Sequence, residues 1–366
     1  MRRALELAER GAGWTSPNPM VGAVIVKRNI ILSEGWHEKF GGPHAEFVAL
    51  QRAGALARGA DLYVNLEPCV AAPGKRNPPC ADEVIRAGIK RVFIALRDPD
   101  PRISGQGIEA LRRAGIEVIE GLLEREARKL NEIYLKFKTT GVPFITLKMA
   151  MTADGKIATH TGDSQWISSQ RSLEFAHELR HRHRALVVGI GTVLADDPQL
   201  TARLEKKTRN PMRIVLDSRG RIPLDAAVVR SAHQIRTILA TTDVISAEKE
   251  RALQQAHVEV WKLPARQGRV DPRAVIEKLA QEQIDSVLIE GGAEIAWSFL
   301  SQRLIDKILF VIAPKIIGGR QAPGPVGGIG CERLRDAIPL RELSISRRNG
   351  DILYEAYVDK ESTFSS

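Results

Sequence analysis

The sequence predicts an α/β protein built from two successive units. Short aliphatic and β-branched runs alternate with amphipathic helical stretches from residue 3 onward. A polar stretch rich in Lys and Thr, Asn131–Gly141, interrupts this alternation, which restarts at Phe144. With 366 residues the chain has room for two to three domains of about 100–200 residues each. The boundary is therefore placed near residue 140, giving units 1–140 and 141–366.

Taken in order, Ala4, Leu5 and Ala8 give one apolar face to a helix over Arg3–Gly11. Ala23-Val24-Ile25-Val26 marks a strand at Gly22–Lys27, with a hairpin partner at Ile30–Gly35. A helix from His44 to about Gly54 precedes a strand at Asp61–Asn65. Then follow a helix at Cys80–Gly88, a strand at Arg91–Leu96, a helix at Gly107–Gly115 and a strand at Glu117–Glu120. Asn131–Gly141 is taken as the connection. The second unit has strand runs at Phe144–Met149, Ala185–Gly189, Arg213–Asp217, Arg236–Ala240, Ser286–Glu290 and Lys307–Ala313, with helical segments between. Ser344–Ser346 and Ile352–Val358 suggest a terminal hairpin, and Gly318–Gly330 is a Gly/Pro-rich loop.

Composition narrows the class. Hydrophobic residues make up 43% and charged residues 27%, ordinary values for a globular protein. No run approaches the 18–20 apolar residues of a membrane span, and charges interrupt the first ten residues where a signal peptide needs apolar ones. A cytoplasmic protein that engages no membrane is expected. The formal charge of +10 is spread along the chain, and 5% aromatics without a cluster argue against nucleic acid. A basic surface that attracts anionic phosphates is the better reading. Three cysteines make no disulfide framework.

Two of those cysteines have a chemical use. His44-Ala45-Glu46 opens a helix, Pro68-Cys69 follows a strand, and Cys80 follows Pro78-Pro79. One imidazole and two thiolates give a tetrahedral Zn2+ three ligands and leave its fourth position to water. Glu46 is placed to carry a proton from that water to a leaving amine. This His-x-Glu … Pro-Cys pattern is the signature of zinc nucleobase deaminases. Here ten residues separate the two cysteines, more than the usual two. A structural zinc or two unrelated thiols are the bland alternatives.

At this point the chain resembles the bifunctional deaminase–reductase family of riboflavin biosynthesis. The resemblance rests on Thr15-Ser16-Pro17-Asn18-Pro19, Gly35-Trp36-His37, Gly42-Pro43-His44-Ala45-Glu46, Leu66-Glu67-Pro68-Cys69, Pro78-Pro79-Cys80-Ala81-Asp82 and Asp98-Pro99. In the second half it rests on Lys148-Met149-Ala150, Asp154-Gly155-Lys156, Ser164-Gln165-Trp166-Ile167, Gly191–Pro198 and Glu290-Gly291-Gly292. It implies a cytidine-deaminase-like α/β/α sandwich followed by a dihydrofolate-reductase-like α/β domain. It also implies zinc-dependent deamination of a diaminopyrimidinone ribosyl phosphate, then NADPH reduction of the ribosyl group to ribityl. Small ribosyl-phosphate pyrimidines would be the partners, and the enzyme a homo-oligomer. Asn18 and His37 would touch the pyrimidine. Where the family has Ser-His-x-Gly-(Arg/Lys)-Thr, this chain has the longer Val70–Asn77, so Lys75 or Arg76 would supply the basic group. Asp100 stands where Asn is common.

The reductase half can also be read physically. Reduction of an open-chain imine is easiest when the imine is protonated, and a carboxylate favours that cation. Glu290 ends a β run just before two glycines and a helix, a natural phosphate-binding turn. Lys148 and Asp196 join Glu290 as catalytic candidates. The resemblance implies an NADP site lined by Ala150, Trp166, Thr192, Asp196, Ser218, Gly292, Ala293, Glu294, Ile295, Ala296, Trp297 and Ser298. It further implies that Ser164, Arg180, Leu200, Arg203 and Glu290 face substrate. Singly, Trp166 and Leu200 would pass for core, and Arg180 for a surface ion pair with Glu174 or Glu178. Rival readings are a chain that reduces without deaminating because of the altered loop, an RNA-binding zinc protein, and a nucleoside or tRNA deaminase, which leaves the second half unexplained.

Overall fold

The aliphatic runs form one main sheet in each of two units, Met1–Gly141 and Val142–Ser366. The computed structural model describes residues 1–71, 78–101, 103–205 and 207–360. The first unit runs α1 (Arg2–Glu9), β1 (Gly22–Lys27), β2 (Ile30–Trp36), α2 (Ala45–Ala53), β3 (Asp61–Val64), α3 (Cys80–Arg86), β4 (Arg91–Ile94), α4 (Gln106–Arg113), β5 (Glu117–Glu120), α5 (Glu124–Leu130) and α6 (Glu132–Thr140). Its five strands lie in the order β2-β1-β3-β4-β5, with β1 antiparallel to both neighbours and β3, β4 and β5 parallel. Period-two alternation sends Val24 to one face, against Ala4 and Leu7 of α1. It sends Ala23, Ile25 and Leu62 to the other, against Ala49, Val84 and Leu111 of α2, α3 and α4.

Residues 131–141 correct the sequence reading. They are not a bare connection but mostly the helix α6, whose Tyr134 and Phe137 are buried three residues apart while Lys138, Thr139 and Thr140 face out. The polar composition concealed that spacing. Helix α5 had no reading at all.

The second unit contains β6 (Phe144–Thr152), α7 (Gln170–Arg182), β7 (Ala185–Gly189), α8 (Ile190–Asp196), β8 (Met212–Leu216), α9 (Ala227–Arg230), β9 (Thr237–Thr241), α10 (Ala247–Gln255) and β10 (Val258–Lys262). A short arm β11 (Ala265–Arg266) and β12 (Arg269–Val270) follows, then α11 (Pro272–Gln281), β13 (Ser286–Glu290), α12 (Ala293–Leu300), β14 (Lys307–Ala313), β15 (Leu340–Arg348) and β16 (Asp351–Val358). The nine-stranded sheet runs β10-β9-β8-β7-β13-β6-β14-β16-β15, parallel from β10 to β14 and antiparallel in the last two pairings. Strand β10 escaped the sequence reading because Glu259 and Lys262 break up a short run. Both faces of the central strands are apolar, as helices on both sides require. Val287 and Ile289 belong to the same buried cluster as residues of α11 and α12, whereas Leu288 belongs to the cluster that holds Leu179 of α7 and Leu253 of α10. The carboxyl ends of β7, β8 and β13 and the loops after them surround the unit's large cavity.

Candidate active sites

In the first unit α2 packs so closely on β2 that a side chain at Gly35 would meet the Ala45 carbonyl at 2.4 Å. That contact fixes the start of α2, where His44 is the N-cap residue and Glu46 lies in the first turn, buried to 3% exposure. Cys80 opens α3, and the Ala81 amide donates to the Cys69 carbonyl at 3.1 Å. Three elements thereby converge. His44 Nδ1 lies 3.2 Å from Cys80 Sγ and 3.6 Å from Cys69 Sγ, and all three ligand atoms are within 4.8 Å of one another. Nitrogen and sulfur on one tetrahedral zinc stand about 3.6 Å apart. The trio fits that ion, and its chemistry asks for one. A hydrogen bond to Cys69, then burial, pushes the Cys80 thiol up, so the pair holds thiolates only when a cation offsets them.

His37 donates its Nδ1–H to the Pro43 carbonyl at 2.9 Å, which leaves Nε2 to accept from the Asn18 amide at 3.2 Å. Burial lowers the pKa of this imidazole against the pull of the Pro43 carbonyl, and His44 adds to the effect. Its ring meets that of His44 edge-on at 5.5 Å, so Asn18, His37 and His44 form one polar wall. Burial raises the Glu46 carboxyl, chiefly against the opposing influence of His44. Lys75 and Arg76 lie outside the described residues.

In the second unit a cavity of about 1500 Å³ is lined by Lys148, His177, Arg180, Arg203 and Glu290, and also by Ser218, Arg219, Arg221 and Arg269. Register pairs Lys148 on β6 directly with Glu290 on β13. Glu290 Oε2 accepts from Arg180 Nε at 2.9 Å and Nη2 at 2.6 Å, while its buried Oε1 has no hydrogen-bond partner among the described residues. Burial alone would raise this carboxyl, but Arg180 and Lys148 outweigh it and hold it ionised. Burial lowers the Lys148 ammonium, with Glu290 opposing and Arg180 reinforcing. Gly291 and Gly292 follow at φ +73° and +82°, a conformation that suits glycine, and a side chain at Gly291 would press on Thr192 Oγ1 at 3.0 Å.

Ala150, Ser164, Trp166, Thr192, Asp196, Leu200, Ser218, Gly292, Ala293, Glu294, Ile295 and Ser298 also line this cavity. Trp166 does so 64% exposed, not as core, and Leu200 is buried. Asp196 is exposed at the end of α8. Two residues from the resemblance do not reach the cavity: Ala296 packs into the core, and Trp297 lies under Gly328. Arg180 pairs across the fold with Glu290, not along its helix with Glu174 or Glu178, and its Nη1 donates to the Thr201 carbonyl at 3.1 Å. His177 was missed. Its Nδ1–H donates to that same carbonyl at 3.1 Å, and its four-residue spacing from His181 on α7 is a signal that could have found it.

Residues 1–96 match the model of the cytidine and deoxycytidylate deaminase zinc-binding region, and residues 143–354 match that of the RibD C-terminal domain. The riboflavin biosynthesis protein RibD of Actinobacillus pleuropneumoniae is 44% identical over 360 residues, covering 98% of this chain and 94% of that protein. The structure of Acinetobacter baumannii RibD is similar with a TM-score of 0.85 at 34% identity, over 98% of both chains. So is a Thermotoga maritima diaminohydroxyphosphoribosylaminopyrimidine deaminase/5-amino-6-(5-phosphoribosylamino)uracil reductase, with a TM-score of 0.83 at 39% identity over 98% of this chain and 97% of that one.

Proposed function

Because this chain belongs to the RibD family, and is a bifunctional deaminase and reductase of riboflavin biosynthesis with cytidine-deaminase-like and dihydrofolate-reductase-like halves, we propose which of its residues perform each reaction. The first half hydrolyses the amine of 2,5-diamino-6-(5-phosphoribosylamino)pyrimidin-4-one. His44, Cys69 and Cys80 hold zinc, which supplies the Lewis acidity that makes water nucleophilic near neutral pH. Glu46 removes a proton from the attacking water and returns it to the departing nitrogen. A carbon–oxygen bond forms, the carbon–nitrogen bond breaks and ammonia leaves. Asn18, fixed by His37, keeps its carbonyl oxygen as an acceptor for the pyrimidine. Lys75 is proposed to meet the substrate from the inter-cysteine loop.

The second half reduces the ribosyl group of the deaminated product, and NADPH supplies the hydride. The observation that carries the residue assignment is the unpartnered, buried Oε1 of Glu290. It is the acceptor for the N–H of the protonated open-chain imine. Lys148 beside it delivers the proton needed as the ribose ring opens. Arg180 acts on Glu290 as a positioning residue, so Arg203 and His177 are left to meet the substrate phosphate, and Ser164 and Leu200 face the substrate with them. The lining residues Ser218, Arg219, Arg221 and Arg269 suit the extra phosphate that distinguishes NADPH from NADH. Thr192, Asp196, Gly292, Ala293, Ile295 and Ser298 hold the cofactor. We further propose a cytoplasmic enzyme, where free thiols persist. A homo-oligomer is supported by the edge strand β15, whose Leu343 and Ile345 are 57% and 63% exposed.

One experiment tests these assignments. The purified protein is given the diaminopyrimidinone substrate with NADPH, with NADH or with neither, and products are identified by mass. Deamination is expected in all three mixtures and reduction chiefly with NADPH. Glu46→Gln should keep zinc, release no ammonia and still reduce supplied deaminated substrate. Glu290→Gln should still deaminate but slow hydride transfer by about 10²–10⁴-fold. A wild type that releases no ammonia would leave a reductase only, and Glu290→Gln at full rate would remove Glu290 from the chemistry.

A further inference from the structure

The segment Lys315–Gly328 contains five glycines among 14 residues and forms no helix or strand. Its apolar side chains do little to hold it, since Ile316 is 80% exposed and only Ala322 is buried. Glycine-rich backbone loses much conformational freedom when ordered, so something else must fix it. Polar ties do so at both ends. Asp154 Oδ2 accepts from the Gly318 amide at 2.7 Å and Oδ1 from the Ile317 amide at 3.3 Å, while the Thr152 hydroxyl donates to Oδ1 at 2.6 Å. The Ala153 amide donates to the Lys315 carbonyl at 2.8 Å and the Ile157 amide to the Pro323 carbonyl at 2.9 Å. Lys156 Nζ reaches the Ala322 carbonyl at 3.1 Å, and Lys315 Nζ reaches the Trp166 carbonyl at 2.7 Å.

At the far end the Gly327 amide donates to the Ala293 carbonyl at 2.9 Å and the Gly328 amide to Glu294 Oε1 at 3.0 Å. The other oxygen of Glu294 accepts from Arg269 Nη1 at 2.8 Å, in the β11–β12 arm. Pro323, Trp166, Ile157, Ala293 and Arg269 all line the cavity. The segment therefore runs as a strap from the Thr152–Ile157 turn to the start of α12, joining walls of one cavity.

We propose that Asp154 and Glu294 are positioning residues: their carboxylates anchor the two ends of this strap, and the anchored strap sets how tightly the cavity holds its nicotinamide cofactor. This rests on the reading of that cavity as the NADPH site. Asp154 belongs to the Asp154-Gly155-Lys156 motif, for which the chemistry above has no use. Glu294 is then a tie between strap, arm and helix instead of a contact to a cofactor whose phosphates share its charge. Both carboxyls are held below their usual range. The Thr152 hydroxyl and then the Gly318 amide bring Asp154 to about 2, and the Gly328 amide and then Arg269 lower Glu294. Each carboxylate is thus bound in its charged form by the groups it anchors.

The test uses the full chain with Asp154→Asn, Asp154→Ala and Glu294→Gln. Two quantities are read: the Kd for NADPH, and the rate of tryptic cleavage after Lys315 or Arg320 located by mass spectrometry. Deaminase turnover in the same preparation reports that the protein is intact. Loss of charge-assisted hydrogen bonds should weaken NADPH binding about tenfold and speed strap cleavage in all three variants. Asp154→Asn, which keeps one acceptor oxygen, should fall between wild type and Asp154→Ala, and its kcat at saturating NADPH should change little while KM rises. Unchanged cleavage, or faster cleavage with unchanged Kd, overturns the proposal while the NADPH reading stands. A wild type that binds no NADPH overturns both.

Discussion

His183 donates its Nδ1–H to the Leu179 carbonyl at 2.8 Å and accepts the Thr146 hydroxyl at Nε2, 3.0 Å away. Both ring nitrogens are engaged in the neutral form, and burial pulls the imidazole down from 6.5 to about 4 despite the favourable Leu179 carbonyl. The folded state thus resists a proton that the unfolded chain accepts below pH 6.5. The contribution to stability is complete above 6.5 and is lost as pH falls toward 4, by roughly 3 kcal/mol at most. His177, also lowered by burial and by Arg180 and Arg203, acts with the same sign. Protection of the β6 amides against hydrogen exchange, taken relative to the intrinsic exchange rate at each pH, should therefore fall over this window, and His183→Asn, which can still donate to Leu179, should flatten the dependence. An unaltered pH profile in that variant would refute the assignment. None of this was legible in the sequence, because His183, the residue that ends α7, belongs to no ligand or catalytic motif. His44, Cys69 and Cys80 were legible, since ligand chemistry repeats residue types at recognisable spacing and the fold brings these three together.

Glu67 shows how one element can organise another. Its Oε1 accepts from the Gly107 and Ile108 amides at 2.9 and 3.3 Å, and its Oε2 from the Asp98 and Gly105 amides at 3.2 and 3.0 Å. It caps the start of α4 from the residue pair before Cys69, and a side chain at Gly107 would collide with the Pro68 carbonyl at 2.0 Å. Glu67→Gln would set an amide donor against backbone donors. The expected result is faster loss of zinc to a chelator and a lower melting temperature, with turnover per bound zinc nearly intact. Zinc release at the wild-type rate would show that the cap does not steady Cys69. Strands with unbroken apolar runs, such as β1, β13 and β14, could be placed from sequence to the residue. Strand β10 and helix α6 could not, because charges and polar residues diluted their short apolar patterns.

The chain divides at Gly141/Val142 into units that each own a sheet and a core. A polypeptide beginning at Val142 is therefore expected to fold alone and bind NADPH as the whole chain does. Titration of cofactor fluorescence checks this, and a fragment that is soluble yet binds no NADPH would show that the reductase needs its companion. Covalent union of the two catalysts also has an arithmetic consequence. Every translation event delivers one centre of each kind, so no change in gene expression can alter their ratio. The standing pool of the deaminated intermediate then follows the relative rates of the two centres, and a substitution that slows only hydride transfer should raise that pool.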